Sequence, residues 1–164
     1  MFVVIMEKDC IFCKIVSGEL PCHKVWEDKK HLAFLSIYPN TEGATVVMPK
    51  EHYTSYAFDQ QDLVISELII ASKKVAKILD TTFDDVGRTA LVLEGFGINH
   101  LHSKLFPLHG TQITSKKWTP IESKIDTYFE KYPGYVCSND SIRADDAKLR
   151  ELAKKIVEKR AKLK

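Results

Sequence analysis

The chain has 164 residues, of which 45% are hydrophobic and 28% are charged, close to the average of globular domains. Its length corresponds to about one domain, and its composition excludes disordered, collagen-like and low-complexity proteins. Because 24 basic residues stand against 22 acidic ones, the net charge is only +2, and we expect neither nucleic acid nor a membrane as a partner.

The chain begins with the apolar segment MFVVIM. No basic residues precede this segment and no small-residue cleavage site follows it, so it does not resemble a secretory signal peptide. Charges interrupt the other apolar runs well before the length of about 18 residues that a membrane span requires. We therefore expect a cytoplasmic protein, whose first residues are either an edge strand or an overlong start.

Cys10 and Cys13 form a CxxC pair, whereas Cys22 and Cys137 are isolated and are expected to be reduced thiols. In a cytoplasmic protein such a pair binds a metal, performs thiol redox chemistry or consists of two buried thiols. The preceding segment EKDC is not a strand, which disfavours a thioredoxin-like motif. A closed zinc site has four ligands, so the pair would need two more.

Five segments have the apolar and β-branched composition of strands, and one has the spacing of an amphipathic helix. The predicted strands are residues 22–27, 31–37, 44–49, 88–94 and 99–106. The helix is predicted over residues 60–80, with Asp59 or Asp62 as its N-cap. Because strands lie on both sides of this helix in the sequence, we predict an α+β fold with an antiparallel sheet of about five strands and one main helix.

The sequence changes character after the last predicted strand. Helices are predicted over residues 121–132 and 143–163, and acidic residues alternate with basic ones in the second, which indicates a solvated face. We divide the chain into a sheet domain, residues 1–110, and a mainly helical C-terminal extension, residues 111–164, that packs on the same domain.

The segment HLHSK lies in the last predicted strand, where His100, His102, Lys104 and Phe106 are predicted to share one face. One histidine in a strand is most often structural, but two histidines and a lysine on one face suit a phosphate. A neutral imidazole attacks phosphorus, and an ammonium stabilises the negative charge that develops. The ammonium of Lys104 also disfavours protonation of His102.

Three segments, in this order, resemble those of the histidine-triad (HIT) superfamily of nucleotide-binding hydrolases and transferases. They are CIFCKIVSGELP, FLSIYPNTEGATVVMPKEH and GFGINHLHSKLFP, and they lie within roughly residues 9–110, about two thirds of the chain. The resemblance implies the HIT fold and a small-molecule nucleotide as the substrate. It also implies a homodimer whose sheets join across the interface.

The resemblance also supplies two further metal ligands. In zinc-bearing members, the CxxC pair is completed by the histidine of PKxH and by the first histidine of HxH. The resemblance therefore implies a structural zinc site formed by Cys10, Cys13, His52 and His100. The alternative is that these four residues only pack together.

The family mechanism assigns the nucleophile to His102, which attacks the α-phosphate and forms a transient nucleotidyl-histidine. Lys104 is then the group that stabilises charge, and the alternative is an ordinary lysine at the rim. The residues expected to bind the nucleotide are Phe34, Ser36, Ile37, Gly95, Phe96 and Gly97.

Four departures from the superfamily pattern bear on the activity. Lys104 stands where the hydrolases carry their third histidine, and Ser36 stands where an aspartate holds the ribose hydroxyls. Phe96 and Gly97 replace residues whose side chains contact phosphate, and Ala44 replaces a histidine. These changes weaken the assignment as an ordinary phosphoramidase or dinucleoside polyphosphate hydrolase, but they leave the nucleophile in place.

Two functions therefore stay open. The first is a hydrolase or nucleotidyl transferase that acts through His102, and the second is a zinc-stabilised nucleotide- or partner-binding module with little or no turnover. An additional histidine, His109, follows the last strand and is interpreted as a surface loop residue.

Overall fold

The computed structural model describes residues 7–112, 120–121 and 128–132. The chain divides into two units, residues 1–118 and 119–164, and the helices and strands described below belong to the first. In the part of the chain that is described, no helix is long and apolar enough to cross a membrane.

The first unit contains a five-stranded antiparallel sheet and one long helix. In chain order its elements are α1 (Ile11–Val16), β1 (Lys24–Glu27), β2 (His31–Leu35), β3 (Thr45–Pro49), α2 (Asp62–Thr82), β4 (Thr89–Val92) and β5 (Ser103–Pro107). The strand order is β1-β2-β3-β5-β4, and every neighbouring pair is antiparallel. The predicted α+β fold is confirmed, and the short helix α1 is an addition to it.

One face of the sheet, here called the helix face, packs against α2. Val47 of β3 and Leu105 of β5 join Leu68 and Val75 of α2 in one buried cluster. These helical residues are seven positions apart, the spacing that keeps side chains on the same side of a helix. Burial of this apolar surface is the main stabilising contribution of α2.

The opposite face, here called the site face, packs against α1. Val46 and Met48 of β3 form a second buried cluster with Phe12 and Cys13 of α1. Because successive side chains of a strand point to opposite faces, β3 contributes to both clusters and is buried along its whole length. The sheet therefore holds α1 directly beside the residues of β3 and β5 that face it.

The start of α2 differs from the prediction. Gln61 is the N-cap, and its side chain makes no capping hydrogen bond. Asp59 belongs to a preceding 3-10 turn, Ala57–Asp59, and Asp62 is the first residue of the helix rather than its cap. The carboxylate of Asp62 still lies in the first turn, where the helix dipole favours a negative charge.

The last strand is shorter than predicted, because β5 begins at Ser103 and the HxH segment precedes it. The N–H of Leu101 donates to the carbonyl of Tyr53, 2.8 Å away, instead of joining the ladder of the sheet. His100 is therefore outside the strand, contrary to the prediction, and it is fully buried.

The prediction of a helix over residues 121–132 is wrong at residues 121 and 128–132, which are irregular and exposed. The proline at position 133 accounts for Tyr132 alone, because the residue before a proline is disfavoured in the helical conformation. The rest of this helix and the predicted helix over residues 143–163 lie outside the described residues. The packing of the C-terminal extension on the sheet domain stays a prediction.

Candidate functional site

A cavity of about 540 Å³ opens on the site face of the sheet. Its walls come from α1, β2, β3, β5 and the loop that follows β4. Apolar lining residues include Ile11, Phe12, Ile15, Phe34, Ile98 and Phe106. A mostly apolar cavity of this size with a few polar groups is typical of a small-molecule site.

Five of the six residues predicted to bind a nucleotide line this cavity. They are Phe34, Ser36, Ile37, Phe96 and Gly97. The sixth, Gly95, is not among the lining residues. Its backbone approaches Ser55 so closely that a Cβ would lie 3.2 Å from the Ser55 carbonyl oxygen, and its φ of +76° also favours glycine.

Several of the large side chains that line the cavity are exposed, among them Ile37, Tyr38 and Phe96. Ile37 is 69% exposed and Phe96 is 66% exposed, so both would gain from contact with an apolar group such as a nucleobase. The hydroxyl of Ser36 accepts a hydrogen bond from the N–H of Tyr38 at 3.2 Å. This hydroxyl therefore already stabilises the turn that follows β2.

His102 lies in the wall of the cavity and is only 4% exposed. Its Nδ1–H donates to the carbonyl oxygen of His100 at 2.6 Å. With the proton of a neutral ring on Nδ1, Nε2 keeps a free lone pair, and it has no hydrogen-bond partner among the described residues. Burial lowers the pKa of His102, and the nearby Lys104 ammonium lowers it further, so the ring is neutral near pH 7.

Lys104, the second residue of β5, also lines the cavity, and it forms an ion pair with the carboxylate of Glu94. Lys104 is therefore not an unpaired lysine at the rim, and its charge is partly compensated. Glu94 follows β4, whose Val92 pairs with Lys104 in the sheet. The two strands thus bring both charges to the same end of the sheet as His102.

Four potential metal ligands lie close together: Cys10, Cys13, His52 and His100. Their ligand atoms lie within 4.8 Å of one another. Nδ1 of His100 is 3.5 Å from Sγ of Cys10 and 3.7 Å from Sγ of Cys13. Nδ1 of His52 is 3.4 Å from Sγ of Cys13.

These distances fit a tetrahedral zinc site. Zn–S bonds of about 2.3 Å and Zn–N bonds of about 2.0–2.1 Å place sulfur and nitrogen ligands about 3.6 Å apart. Two thiolates and two imidazoles are also a ligand set that structural zinc sites use. The residues predicted to bind zinc are therefore brought together in an arrangement that is compatible with the metal.

Both histidines of this cluster are oriented from their other ring nitrogen. Nε2 of His100 lies 2.9 Å from the carbonyl oxygen of Pro49, and Nε2 of His52 lies 2.7 Å from Oε2 of Glu7. When Nε2 donates to these oxygens, Nδ1 is left as the ligand atom. Such outer partners are typical of histidines that bind metals.

Burial determines the protonation of two members of the cluster. It lowers the pKa of His100 to about 4, so this ring is neutral and its Nδ1 is available to a metal. Burial also raises the pKa of the Cys13 thiol, and the neighbouring Cys10 raises it further. A metal cation reverses this preference because it stabilises the thiolate.

The cluster and the cavity share one aromatic ring. The ring of Phe12 packs edge-on against His100, with centroids 5.7 Å apart, and against His102, with centroids 5.3 Å apart. Phe12 lies in α1, between Cys10 and Cys13 in the sequence. The segment that supplies the thiols therefore also supports the ring of His102.

Residues 17–111, more than half of the chain, match the family model of the HIT domain. The chain belongs to the histidine-triad family. The HIT fold expected from the sequence is thus confirmed together with the family.

Similar proteins include members with and without an assigned activity. The chain is 34% identical over 107 residues to the protein named hit of Bacillus subtilis, a match that covers 63% of this chain and 73% of that protein. It is 33% identical over 99 residues to an adenosine 5'-monophosphoramidase of Schizosaccharomyces pombe, covering 60% of this chain and 73% of that protein. Among solved structures, SMU.412c of Streptococcus mutans matches with a TM-score of 0.63 at 29% identity, covering 93% of this chain and 86% of that chain.

Two carboxylates at the site are not among the residues predicted from the sequence. Glu94 closes the apolar strand segment RTALVLE, and strand pairing would have placed it near Lys104. Glu7 precedes Cys10 by three residues. This proximity to the predicted metal ligands is the one sequence feature that could have indicated its role. His109, interpreted as a surface loop residue, contacts Asp85 and the carbonyl of Glu42 and is not among the residues that line the cavity.

Proposed function

We propose that this HIT protein is a nucleotide hydrolase or nucleotidyl transferase that acts at the α-phosphate through a covalent intermediate on His102. The observation that carries the proposal is the arrangement of this imidazole. It lies in the wall of a 540 Å³ cavity, its Nδ1–H is bound to the His100 carbonyl, and its pKa is lowered by burial. A neutral, oriented imidazole with an available lone pair is a nucleophile for phosphorus.

In the first step, Nε2 of His102 attacks the α-phosphorus in line with the leaving group. The P–N bond to the histidine forms as the bond to the leaving group breaks, and the leaving group keeps the electron pair and takes a proton from water. The fixed hydrogen bond to His100 holds the ring in one orientation, which lowers the entropic part of the barrier.

In the second step, water or another acceptor attacks the same phosphorus. The bond to His102 breaks, the electron pair returns to Nε2, and the acceptor loses its proton to solvent. Lys104 supports both steps, because its ammonium lies on the face of the sheet where the negative charge of the phosphoryl oxygens increases. The apolar walls around Phe34 and Ile37 receive the nucleobase.

We also propose that Cys10, Cys13, His52 and His100 hold a structural zinc ion. Bound there, the metal would be closed by four protein ligands and would act through stability rather than as a Lewis acid. The support is the set of ligand distances and the orientation of both histidines by Pro49 and Glu7. Through α1 these residues fix the wall of the cavity that contains Phe12.

We further propose that the protein acts as a homodimer, as the family resemblance implies. The exposed apolar residues of α2 support an interface that includes this helix. Leu63 is 65% exposed and Ile70 is 55% exposed. Apolar side chains of this size on one helix are typical of surfaces that a partner covers.

One observation favours the second function, a nucleotide-binding module with little turnover. The ammonium of Lys104 is paired with Glu94, so it offers less net charge to a phosphate than an unpaired ammonium would. Nucleotide binding would then persist while the reaction itself became slow.

The two functions are separated by turnover of a nucleotide panel. We expect wild-type protein to release AMP from adenosine 5'-phosphoramidate, adenosine 5'-phosphosulfate, ADP or dinucleoside polyphosphates. His102→Asn should lose this activity by at least about 10³-fold, since the covalent route is then closed, and should still be stabilised by AMP. Stabilisation by nucleotides without turnover of any of these compounds would support the binding module instead.

A further inference from the structure

The ion pair between Lys104 and Glu94 has a consequence for the charge of the site. Lys104 lines the cavity beside His102, and its partner carboxylate is more sheltered than the ammonium itself. The side chain of Glu94 is 15% exposed, against 34% for Lys104. Charges that are sheltered from water are screened less, so the Glu94 carboxylate acts on any anion bound in this part of the cavity.

The backbone fixes this carboxylate near the reacting group. Val92, at the end of β4, pairs with Lys104, and Glu94 follows two residues later, where its carboxylate forms the ion pair with Lys104. It also leads directly into the Gly95-Phe96-Gly97 turn, of which Phe96 and Gly97 line the cavity. An α-phosphate within reach of His102 and Lys104 therefore lies within reach of the field of Glu94.

The pair as a whole adds no net charge to the site. A phosphate that carries one negative charge is attracted by the nearer ammonium, and the carboxylate reduces this attraction. A further negative charge on the leaving group is repelled by the same carboxylate. Among the described residues that line the cavity, no second lysine or arginine offsets this repulsion. An amine or an alcohol brings no such charge to the site.

We propose that Glu94 is a specificity-determining residue that selects substrates whose α-phosphate carries an uncharged or cationic leaving group. Leaving groups that are themselves phosphates or sulfates are disfavoured by its carboxylate. This inference rests on the proposed function, because it concerns the substrate of the reaction at His102. It assigns to Glu94 a role that depends on its charge and not only on its hydrogen bond to Lys104.

The test compares two substrates with the same nucleoside. Adenosine 5'-phosphoramidate releases ammonia, and ADP releases inorganic phosphate. The measured quantity is the ratio of kcat/KM for the first to kcat/KM for the second, which is independent of the fraction of active protein. We expect Glu94→Gln to lower this ratio about tenfold, the size of one charge interaction across a partly screened site, and Glu94→Asp, which keeps the charge, to retain it.

Two further variants test the sign of the effect. Lys104→Met removes the ammonium that offsets the charge of the carboxylate and should raise the ratio, although total activity falls. The double variant with Glu94→Gln and Lys104→Met has the wild-type net charge and should return the ratio towards the wild-type value. Glu67→Gln, which removes the carboxylate of the Lys30–Glu67 ion pair on α2, is the matched control and should leave the ratio unchanged.

A second readout does not require turnover. AMP and adenosine differ by the phosphate, so the ratio of their dissociation constants reports how the site treats negative charge. Glu94→Gln should lower the dissociation constant of AMP about tenfold relative to that of adenosine.

The outcomes separate the two proposals. If the wild type turns over the panel and Glu94→Gln changes both substrates by the same factor, the role of Glu94 is structural and this inference is overturned while the proposed function stands. If the wild type turns over none of the compounds, both are overturned. A lower substrate ratio in Glu94→Gln, with the ratio raised in Lys104→Met, supports the inference.

Discussion

The Nδ1–H of His102 donates to the backbone carbonyl of His100 at 2.6 Å, and the side chain of His100 belongs to the Cys10/Cys13/His52/His100 cluster. One residue thus contributes its side chain to the proposed metal site and its backbone to the orientation of the proposed nucleophile. A change in the metal site should therefore alter the orientation of the His102 ring without any direct contact between the metal and a substrate.

Cys10→Ser tests the metal site. We expect the purified wild type to hold about one zinc per chain and the variant to hold almost none, because serine is a poor zinc ligand in such sites. The loss should lower the free energy of unfolding by more than about 3 kcal/mol, in the range typical of a lost structural metal. Zinc analysis and urea denaturation measure the two effects.

Cys22→Ser is the matched control for this experiment. Cys22 is a free thiol that is not part of the cluster, so its replacement should leave the zinc content unchanged. A wild-type protein without zinc, together with equal stability of the Cys10→Ser variant, would contradict the metal site and would leave the four residues with a packing role.

Glu7→Gln tests the outer partner of His52. The carboxylate of Glu7 lies 2.7 Å from Nε2 of His52, where it orients the ring and increases the basicity of Nδ1. We expect the variant to bind zinc about tenfold more weakly, at the lower end for such partners because Glu7 is exposed. Competition with a coloured chelator measures the affinity, and an unchanged value would show that the contact does not act on the metal.

The sequence predicted the site more completely than it predicted the helix and strand ends. Periodicity indicates the sheet and the main helix, and the CxxC pair indicates two metal ligands, because these features are local in sequence. The other two ligands, His52 and His100, follow only from the resemblance to the HIT superfamily, since spacing alone does not show which distant residues meet. The start of β5 at Ser103 was not predictable, since the N–H of Leu101 leaves the ladder for the carbonyl of Tyr53, a residue distant in sequence.

Two other features depend on tertiary contacts. The sequence indicates Glu94 only as the end of a strand, and its proposed role depends on the pairing of β4 with β5, which places it beside Lys104. Likewise, alternation along a strand predicted that His102 and Lys104 share a face, and both line the cavity. It did not predict that the ammonium of Lys104 would be paired.

Ser72→Ala tests the buried contact that joins β5 to α2. Ser72 Oγ donates to the carbonyl of Leu68 at 2.7 Å and lies 2.7 Å from Oγ of Ser103, the first residue of β5. Removing the Ser72 hydroxyl breaks the short, buried hydrogen bond to the Ser103 hydroxyl. We therefore expect the free energy of unfolding to fall by about 1–2 kcal/mol. Chemical denaturation measures it.

Two companion variants complete this test. Ser66→Ala removes an exposed hydroxyl with the same type of bond to the preceding turn of α2, 2.6 Å long, and should cost less than about 0.5 kcal/mol. The double variant with Ser72→Ala and Ser103→Ala should cost less than the sum of the two single variants, because the hydroxyls are partners. Additive costs would mean that the two serines act independently.

His109 gives the stability of the fold a dependence on pH. Its Nδ1 lies 3.0 Å from Oδ1 of Asp85 and its Nε2 lies 3.1 Å from the carbonyl oxygen of Glu42, so only the protonated ring donates to both. The Glu42 carbonyl and the Asp85 carboxylate raise the pKa of His109, and His109 in turn lowers the pKa of Asp85.

The direction of the pH effect follows from linkage. Because the pKa of His109 is raised, its contact stabilises the fold fully below the ordinary histidine pKa of about 6.5. This stabilisation is lost as the pH rises through the raised pKa. Because the pKa of Asp85 is lowered, its ionised form stabilises the fold fully above the ordinary aspartate pKa of about 3.9. This stabilisation is lost as the pH falls through the lowered pKa. The contact therefore contributes most between about pH 4 and pH 6.5.

NMR titration of the histidine ring protons and the melting temperature between pH 5 and pH 8 measure this effect. We expect Asp85→Asn to lower the pKa of His109 and to remove part of the decrease in melting temperature above pH 6.5. His23→Gln, which replaces an exposed histidine, is the control and should keep the wild-type profile. Identical profiles for Asp85→Asn and the wild type would contradict the assignment.

The central claim, covalent catalysis by His102, is tested most directly by trapping the intermediate. Protein mixed with adenosine 5'-phosphoramidate and quenched at high pH, where phosphoramidate bonds to histidine persist, is digested and analysed by tandem mass spectrometry. The account predicts an adenylyl group on the peptide that contains His102, located on that residue, labile to acid and absent from His102→Asn. Turnover of the substrate by wild-type protein with no such adduct, or activity retained by His102→Asn, would contradict it.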